Sequence, residues 1–200
     1  MSKLAAGFSV SLDGFVAEEN NDTTHVFAWY FAEPIDMKTV SVDQLELTPE
    51  SKERQDEHAQ GMGAIISGRR TFDTAGAWGG KHPMGVPVVV LTHDIPAEWS
   101  GEGSSFTFVT EGVERAIEIA KQLAGGQAIG VTGPDVMRQC MKLGLMDEIG
   151  IDLVPVLLGK GIRMFDYIGI EPLHLEKISA KNGPGGIMHL NYRIRKDATA

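Results

Sequence analysis

Cysteine is almost missing from this chain, with Cys140 the only one in 200 residues. An internal disulfide is therefore impossible, and no Cys/His group has the spacing of a zinc site. A reducing, cytoplasmic setting and no bound metal are expected. Basic runs are missing too. None is longer than Arg69-Arg70, and the formal net charge is −9, a field that repels a phosphate backbone and argues against nucleic acid as a partner. No apolar stretch approaches the roughly 20 residues of a membrane-spanning helix. Met1 to Phe8 runs into a strand-like pattern without a signal-type apolar core, so no membrane association is expected. What is present is the composition of an ordinary globular chain, 42% hydrophobic and 22% charged, and residues 1–200 are read as one domain.

The hydrophobic pattern alternates between strands and helices. A first strand is expected near Leu4 to Ser11, followed by β-branched apolar runs at Ala64-Ile65-Ile66, Val86 to Leu91 and Ala128 to Val131. Residues 113–124 place Val113, Ala116, Ile117, Ala120, Leu123 and Ala124 at helical spacing, and residues 136–143 do the same with Val136, Met137, Cys140 and Leu143. Parallel strands joined by crossover helices follow, because a tight turn cannot close a parallel pair. Glu148 to Leu158 reads as a long strand. Leu173 to Lys181 and Ile187 to Ile194 alternate around Asn182-Gly183-Pro184-Gly185-Gly186, which predicts an antiparallel hairpin at the end of the sheet. The expected architecture is thus α/β, with a mixed, mainly parallel sheet flanked by helices.

Three strand ends carry candidate chemistry. Gly63 to Asp73 reads as a buried strand ending in glycine and passing into a helix near Arg69. Unpaired amides and the helix dipole favour an anion there, Gly68 allows close approach, and Arg69, Arg70 and Thr71 add charge and a hydroxyl. The guanidinium fork of Arg69 would suit the 2′-phosphate of NADPH. Taken alone, the segment reads equally as a turn with a solvated arginine pair. Thr92 and His93 end the next run and either flank the same ligand or simply form the polar exit of a buried strand. Thr132, Gly133, Asp135 and Val136 form the third end, where Pro134 suits the first helical position and Asp135 suits the helix dipole but not a pyrophosphate.

Around Asp13-Gly14 the residues allow a turn whose carboxylate caps amides, or a proton donor. Trp29, Tyr30 and Phe31 can stack on a planar substrate or plug a core or an interface. Glu33, four residues from Trp29, would share its helical face and could anchor a substrate. His25 reads as a solvated loop histidine, and Met137, Cys140 and Met141 read as core.

Several of these segments together resemble the dihydrofolate-reductase-like superfamily, in particular the reductase domain of riboflavin biosynthesis (RibD C-terminal domain family). The resemblance rests on Ser11 to Ala17, Gly68 to Phe72, Leu91-Thr92-His93, Gly144 to Ile149 and Leu153 to Phe165, in that order along the chain. It implies a three-layer fold with NADPH across the strand ends. Arg69 and Thr71 would then lie near the adenosine phosphates, Asp13 to Ala17, including Val16 and Ala17, near the nicotinamide, and Leu158 and Gly159 near the substrate. A homodimer is also implied. Phe15 stands where the riboflavin enzymes carry lysine after Asp-Gly, and the zinc ligands of the deaminase half are absent. The expected function is NADPH-dependent reduction of a small heterocycle, of the 5-amino-6-(5-phosphoribosylamino)uracil reductase type. A dihydrofolate-reductase-type activity and a noncatalytic NADPH-binding dimer are the alternatives.

Overall fold

A computed structural model of the chain describes residues 2–31, 46–99, 104–166 and 169–196. Its strands are β1 (Leu4–Ser11), β2 (Phe15–Ala17), β3 (Met62–Gly68), β4 (Val88–Leu91), β5 (Phe106–Val109), β6 (Ala128–Thr132), β7 (Glu148–Val154), β8 (Ile162–Arg163), β9 (Leu175–Asn182) and β10 (Met188–Ile194). The helices are α1 (Thr24–Phe27), α2 (Pro49–Ala59), α3 (Arg69–Thr74), α4 (Val113–Ala124) and α5 (Pro134–Lys142). Eight strands form one sheet in the order β5-β4-β3-β6-β1-β7-β10-β9, and β2 pairs with β8 in a separate two-stranded sheet. β5, β4, β3, β6, β1 and β7 run parallel, while β10 is antiparallel to both β7 and β9. The expected mixed sheet and terminal hairpin are both present.

Strand alternation divides the sheet's side chains between two faces. On the first, Leu4, Ala6, Ile66, Val89, Ile129, Val131 and Ile149 form one buried cluster with Ala116, Ile117 and Ala120 of α4 and Val136, Met137 and Cys140 of α5. Cys140 is core, as its spacing indicated, and burial pushes its thiol up to about 12, which makes it a poor nucleophile. α4 stops where Gly125 takes a left-handed conformation, a backbone state glycine adopts without penalty. On the second face, Phe72 of α3 meets Trp78, Trp99, Phe106 and Phe108 edge-on at 5.0–6.0 Å between ring centroids.

Three boundaries differ from the sequence pattern. The strand expected to reach Leu158 stops at Val154, because Pro155 has no N–H for the ladder and Val156 turns back to donate to the Val154 carbonyl. Leu157 is consequently exposed rather than buried in a strand. β5 and α2 are not among the elements expected from the sequence; the first is a short Phe-Thr-Phe-Val run, and the second lacks an apolar stripe. α2 is polar all round: Thr48 caps it by accepting from the Ser51 amide, Pro49 occupies its first turn, and its buried residues are Ser51 and Arg54.

α2 is tied to the second face by polar contacts. Arg54 donates to Asp152 of β7 at 3.2 Å and to Asn191 of β10 at 3.4 Å, and the Ser51 hydroxyl donates to the Trp29 carbonyl at 3.1 Å. Beside it the sheet is floored by small residues. Ala5, Gly7 and Ser9 of β1, Gly130 of β6 and Gly150 of β7 all project to this face, with Gly7 and Gly150 directly paired in register. Gly7 is solvent-exposed although it lies mid-way along one of the most interior strands.

Candidate active site

β3 and β6 are hydrogen-bonded neighbours, and both end in glycine before a helix. Among the described residues no side chain caps either helix start, so the first-turn amides of α3 and α5 remain available to an anion. The glycines bring these two starts together. A Cβ on Gly133, whose φ is +89°, would stand 2.8 Å from Thr71 Oγ1, and one on Gly68 would stand 3.1 Å from Val136 Cγ2. Between the strands, Thr132 donates its hydroxyl to Ser67 Oγ at 3.1 Å. Gly68, Thr71, Thr132, Gly133 and Val136 are therefore gathered at one place, although Val136 itself is buried and can offer only its amide.

The neighbouring polar residues are more committed than their sequence suggested. The Arg69 fork does not stand free: its Nε donates to both carboxylate oxygens of Asp73 at 2.7 and 2.9 Å, and Nη1 donates to the Asp94 carbonyl at 2.9 Å. Thr92 is buried and closes a turn, donating to the Asp94 carbonyl and accepting from the Asp94 amide. Asp135 pairs with Arg138 one turn along α5 and lies 3.9 Å from Arg70 across the gap between the helices. Arg70 thus faces α5. His93, with Asp135, Arg138, Gln139, Lys142 and Asp166, lines a polar cleft of about 360 Å³. Arg138, Gln139 and Lys142 were not singled out in the sequence; they follow Asp135 at helical spacing on the same α5.

In the turn after β1, Asp13 acts as a clamp. Its Oδ1 accepts from Ser11 Oγ at 2.6 Å and from the Leu158 amide at 3.2 Å, and its Oδ2 accepts from the Gly159 amide at 2.7 Å. The Ser11 hydrogen bond, with those from the Gly159 and Leu158 amides, outweighs desolvation and holds the carboxyl below its ordinary value. An ionised acceptor of this kind is not a proton donor at neutral pH, so the turn-capping reading of Asp13 is the one with structural support. Leu158 and Gly159 meet Asp13 through their amides. The side chains of Val16 and Ala17 are buried in β2, leaving backbone as what they can present. A Cβ on Gly161 would overlap the Ala17 carbonyl oxygen, so the 155–163 loop lies against β2 with no side chain between. The Arg163 guanidinium lies 4.5 Å over the ring of Phe15.

Trp29 belongs to a short 3-10 turn, Ala28–Tyr30, after which Phe31 is extended and bridges to Leu47. The helical face that was to join Trp29 to Glu33 is therefore broken at Phe31, and Glu33 itself lies outside the described residues. Trp29 donates its indole N–H to Ser9 Oγ at 3.1 Å and sits 5.3 Å from the ring of His189. His25 bonds Glu18 at 2.7 Å in an exposed pair. Beneath Trp29 is a cluster the sequence did not reveal: His189 Nδ1 meets Asp152 Oδ1 at 2.6 Å, and Arg54 reaches the same oxygen. Burial first, then the Arg54 charge, pushes His58 down, and burial pushes Tyr30 up. The one hint in the sequence was an aspartate inside the apolar run Ile149-Gly150-Ile151-Asp152-Leu153.

Comparison with known proteins agrees with this architecture. The family model of the RibD C-terminal domain matches residues 2–188. The uncharacterized protein YwjB of Bacillus subtilis is 25% identical over 158 residues, 78% of this chain and 79% of that protein. A protein of Shewanella sp. PV-4 named for riboflavin biosynthesis superposes with a TM-score of 0.74 at 18% identity, over 97% of this chain and 99% of the other. Dihydrofolate reductase from Enterococcus faecalis, in a complex with NADP(H), gives 0.60 at 13% identity over 96% of each chain. Among the described residues no group of His, Cys, Asp or Glu could hold a metal, and no helix is long and apolar enough to cross a membrane. With its parallel strands ending in paired glycines and an antiparallel hairpin closing the sheet, the chain has the dihydrofolate-reductase-like fold and belongs to the reductase-like RibD C-terminal domain family.

Proposed function

We propose that this protein is an NADPH-dependent reductase of a small heterocycle. The observation that carries the reading is the convergence of two uncapped helix starts on Gly68 and Gly133, beside a polar cleft to which Arg138, Lys142 and His93 contribute along with Asp135 and Asp166. The first-turn amides of α3 and α5 and the Thr71 hydroxyl suit the pyrophosphate. His93, Gln139, Arg138 and Lys142 line a space suited to the adenosine end and its 2′-phosphate. Arg69 contributes once its hydrogen bonds to Asp73 and Asp94 are exchanged for phosphate oxygens. When bound, NADPH would supply the hydride for reduction of a C=N or C=O bond, and solvent would supply the proton to the heteroatom. The chain's own part is to orient the ring faces and exclude water: Val16 and Ala17 through their backbone, and Leu158 and Gly159 through a loop that Asp13 holds.

Calorimetric titration with NADPH and NADH tests this. NADPH is expected to bind more tightly, and Arg69→Ala or Lys142→Ala to weaken NADPH by about tenfold or more while changing NADH little, as for a charge-assisted hydrogen bond. Absence of NADPH binding, or equal affinities unaffected by either substitution, would sink the reading. Oxidation of NADPH with phosphoribosylamino-pyrimidines and with dihydrofolate then distinguishes the riboflavin-type reaction from the folate one; turnover of none favours a binding module. The exposed Leu175 and Ile178 on the edge strand β9 and Met188 on its neighbour β10 support a homodimer, which light scattering would reveal.

A further inference from the structure

α2 docks on the second face of the sheet without an apolar surface of its own. The residues it turns inward, Ser51, Arg54 and His58, stand at the i, i+3 and i+7 spacing where a docked helix normally carries aliphatic side chains. Ser51 donates to the Trp29 carbonyl. Arg54 meets Asp152 Oδ1 through Nη2 at 3.1 Å and Nε at 3.2 Å, with both side chains buried. A buried ion pair is a weak source of docking free energy, because desolvation of the two charges offsets most of their attraction. The outer contact, Lys181 with Glu57 at 2.8 Å, is exposed and adds little. Beyond α2 the chain passes through Gly61, whose φ is +78° and whose Cβ position is open on all sides, a joint between the helix and β3. A segment with so few apolar contacts belongs to the part of a fold that opens locally while the rest stays closed.

His58 makes this contact sensitive to protons. It lies over β1, its Cε1 3.8 Å from the position of a Cβ on Gly7. Among the described residues the charged and titratable groups around it are Arg54 and Glu57 on its own helix, Asp152 on β7 and His189 on β10. Lys181 of β9 reaches this group through Glu57. Tyr30, from the 3-10 turn, stays neutral because burial pushes its phenol up. Burial of His58, then the Arg54 charge, outweighs the attraction of Asp152 and Glu57 and disfavours the imidazolium while α2 is docked. Lifted into solvent with α2, the imidazole regains its ordinary value of 6.5. The lifted state therefore binds the proton first, so docking is full above pH 6.5 and weakens as the pH falls below it.

We infer that α2 is a detachable cover, latched to the sheet by Arg54 on Asp152 and released, separately from the rest of the fold, when His58 takes up a proton. The inference is independent of the reductase reading, since it needs neither cofactor nor substrate. Hydrogen exchange of the full-length protein at pH 7.5 and pH 5.5 tests it. Mass spectrometry of peptides from α2 and α4, with rates divided by those of an unstructured chain at each pH, gives the opening constant of each helix. α2 is expected to open more readily than α4 at both values, since α4 is built into the apolar core. Its opening constant is expected to rise about three- to tenfold at the lower pH, as one proton can contribute at most about tenfold per pH unit. His58→Gln, polar but without a titration, is expected to stay docked at pH 7.5 and to lose that rise. Arg54→Met is expected to raise the α2 opening constant at pH 7.5 by about tenfold or more, because Asp152 loses its partner. Equal opening constants in α2 and α4 of the wild type, or an α2 constant that does not change with pH, would overturn the inference even if Arg54→Met failed to fold. A full rise retained in His58→Gln would overturn the role of His58, and wild-type protection of α2 in Arg54→Met would overturn the latch.

Discussion

Replacing Gly161 by alanine tests how the 155–163 loop is held to β2. The added methyl would overlap the Ala17 carbonyl oxygen and stand 3.1 Å from both Ala17 C and Glu18 Cα, all of them backbone atoms that no rotamer change can move. Overpacking of this kind costs about 1–3 kcal/mol. The φ of +148° adds strain that only glycine avoids, about 1–3 kcal/mol more. A loop that stayed docked would therefore lose roughly 2–6 kcal/mol. Undocking is the cheaper course, because β2 and β8 share only the pairs Phe15↔Arg163 and Ala17↔Ile162. The expected outcome is a modest fall in global stability by urea unfolding, about 1–3 kcal/mol, with hydrogen exchange at the Leu158 amide accelerated by about tenfold or more. Gly159→Ala is the control: its φ is +75° and no atom lies within 4 Å of the added Cβ, so it should cost only about 1 kcal/mol and leave the loop docked. If Gly161→Ala matched Gly159→Ala in stability and kept Leu158 protected, the close packing inferred at Ala17 would be wrong.

Two further outcomes concern ionisable groups. Burial pushes His82 down to about 4 from its ordinary 6.5; the unfolded chain then binds the extra proton first, so stability is full above pH 6.5 and declines as the pH falls toward 4. The slope is at most about 1.4 kcal/mol per pH unit. Urea unfolding at pH 7 and pH 4.5 should show this loss in the wild type and a smaller one in His82→Gln; identical losses would remove His82 from the account. Asp13 has the opposite sign. Its lowered value makes the Leu158 and Gly159 clamp intact above the ordinary carboxylate range and lost as the pH falls through the lowered value. Asp13→Asn should loosen the Gly159 amide in exchange experiments at pH 7 without shifting the pH dependence of kcat, and a shifted profile would restore Asp13 as a proton donor.

The elements legible in the sequence were those whose burial is apolar and local. β1 shows as a largely apolar strand pattern, β3, β4 and β6 as runs rich in β-branched residues, α4 and α5 as apolar stripes, and the hairpin as alternation around a Gly/Pro turn. β7 was overextended because Val156, Leu157 and Leu158 continue its composition while Pro155 ends its hydrogen bonding. α2 escaped notice because it is held by charges and hydroxyls rather than by an apolar face. In the site, Gly68 and Gly133 were readable because close approach demands glycine there. The pairing of Arg69 with Asp73 was in view in the sequence at i, i+4 spacing, but the reading of Arg69 as a phosphate ligand passed over it. The Arg54, Asp152 and His189 cluster was beyond local reading, since its hydrogen bonds span 98 and 37 residues.

The place of β1 in the sheet bears on how the chain is made. Its two partners, β6 and β7, begin at Ala128 and Glu148, so β1 waits for more than a hundred further residues to be made before either of its edges is covered. At roughly 5–20 residues per second this wait is on the order of ten seconds. During that time Leu4-Ala5-Ala6-Gly7-Phe8-Ser9-Val10 is an apolar segment with both hydrogen-bonding edges bare. Such a strand is a natural client for a holding chaperone, and it makes the final pairing of β1 between β6 and β7 the event that commits the chain to its native topology.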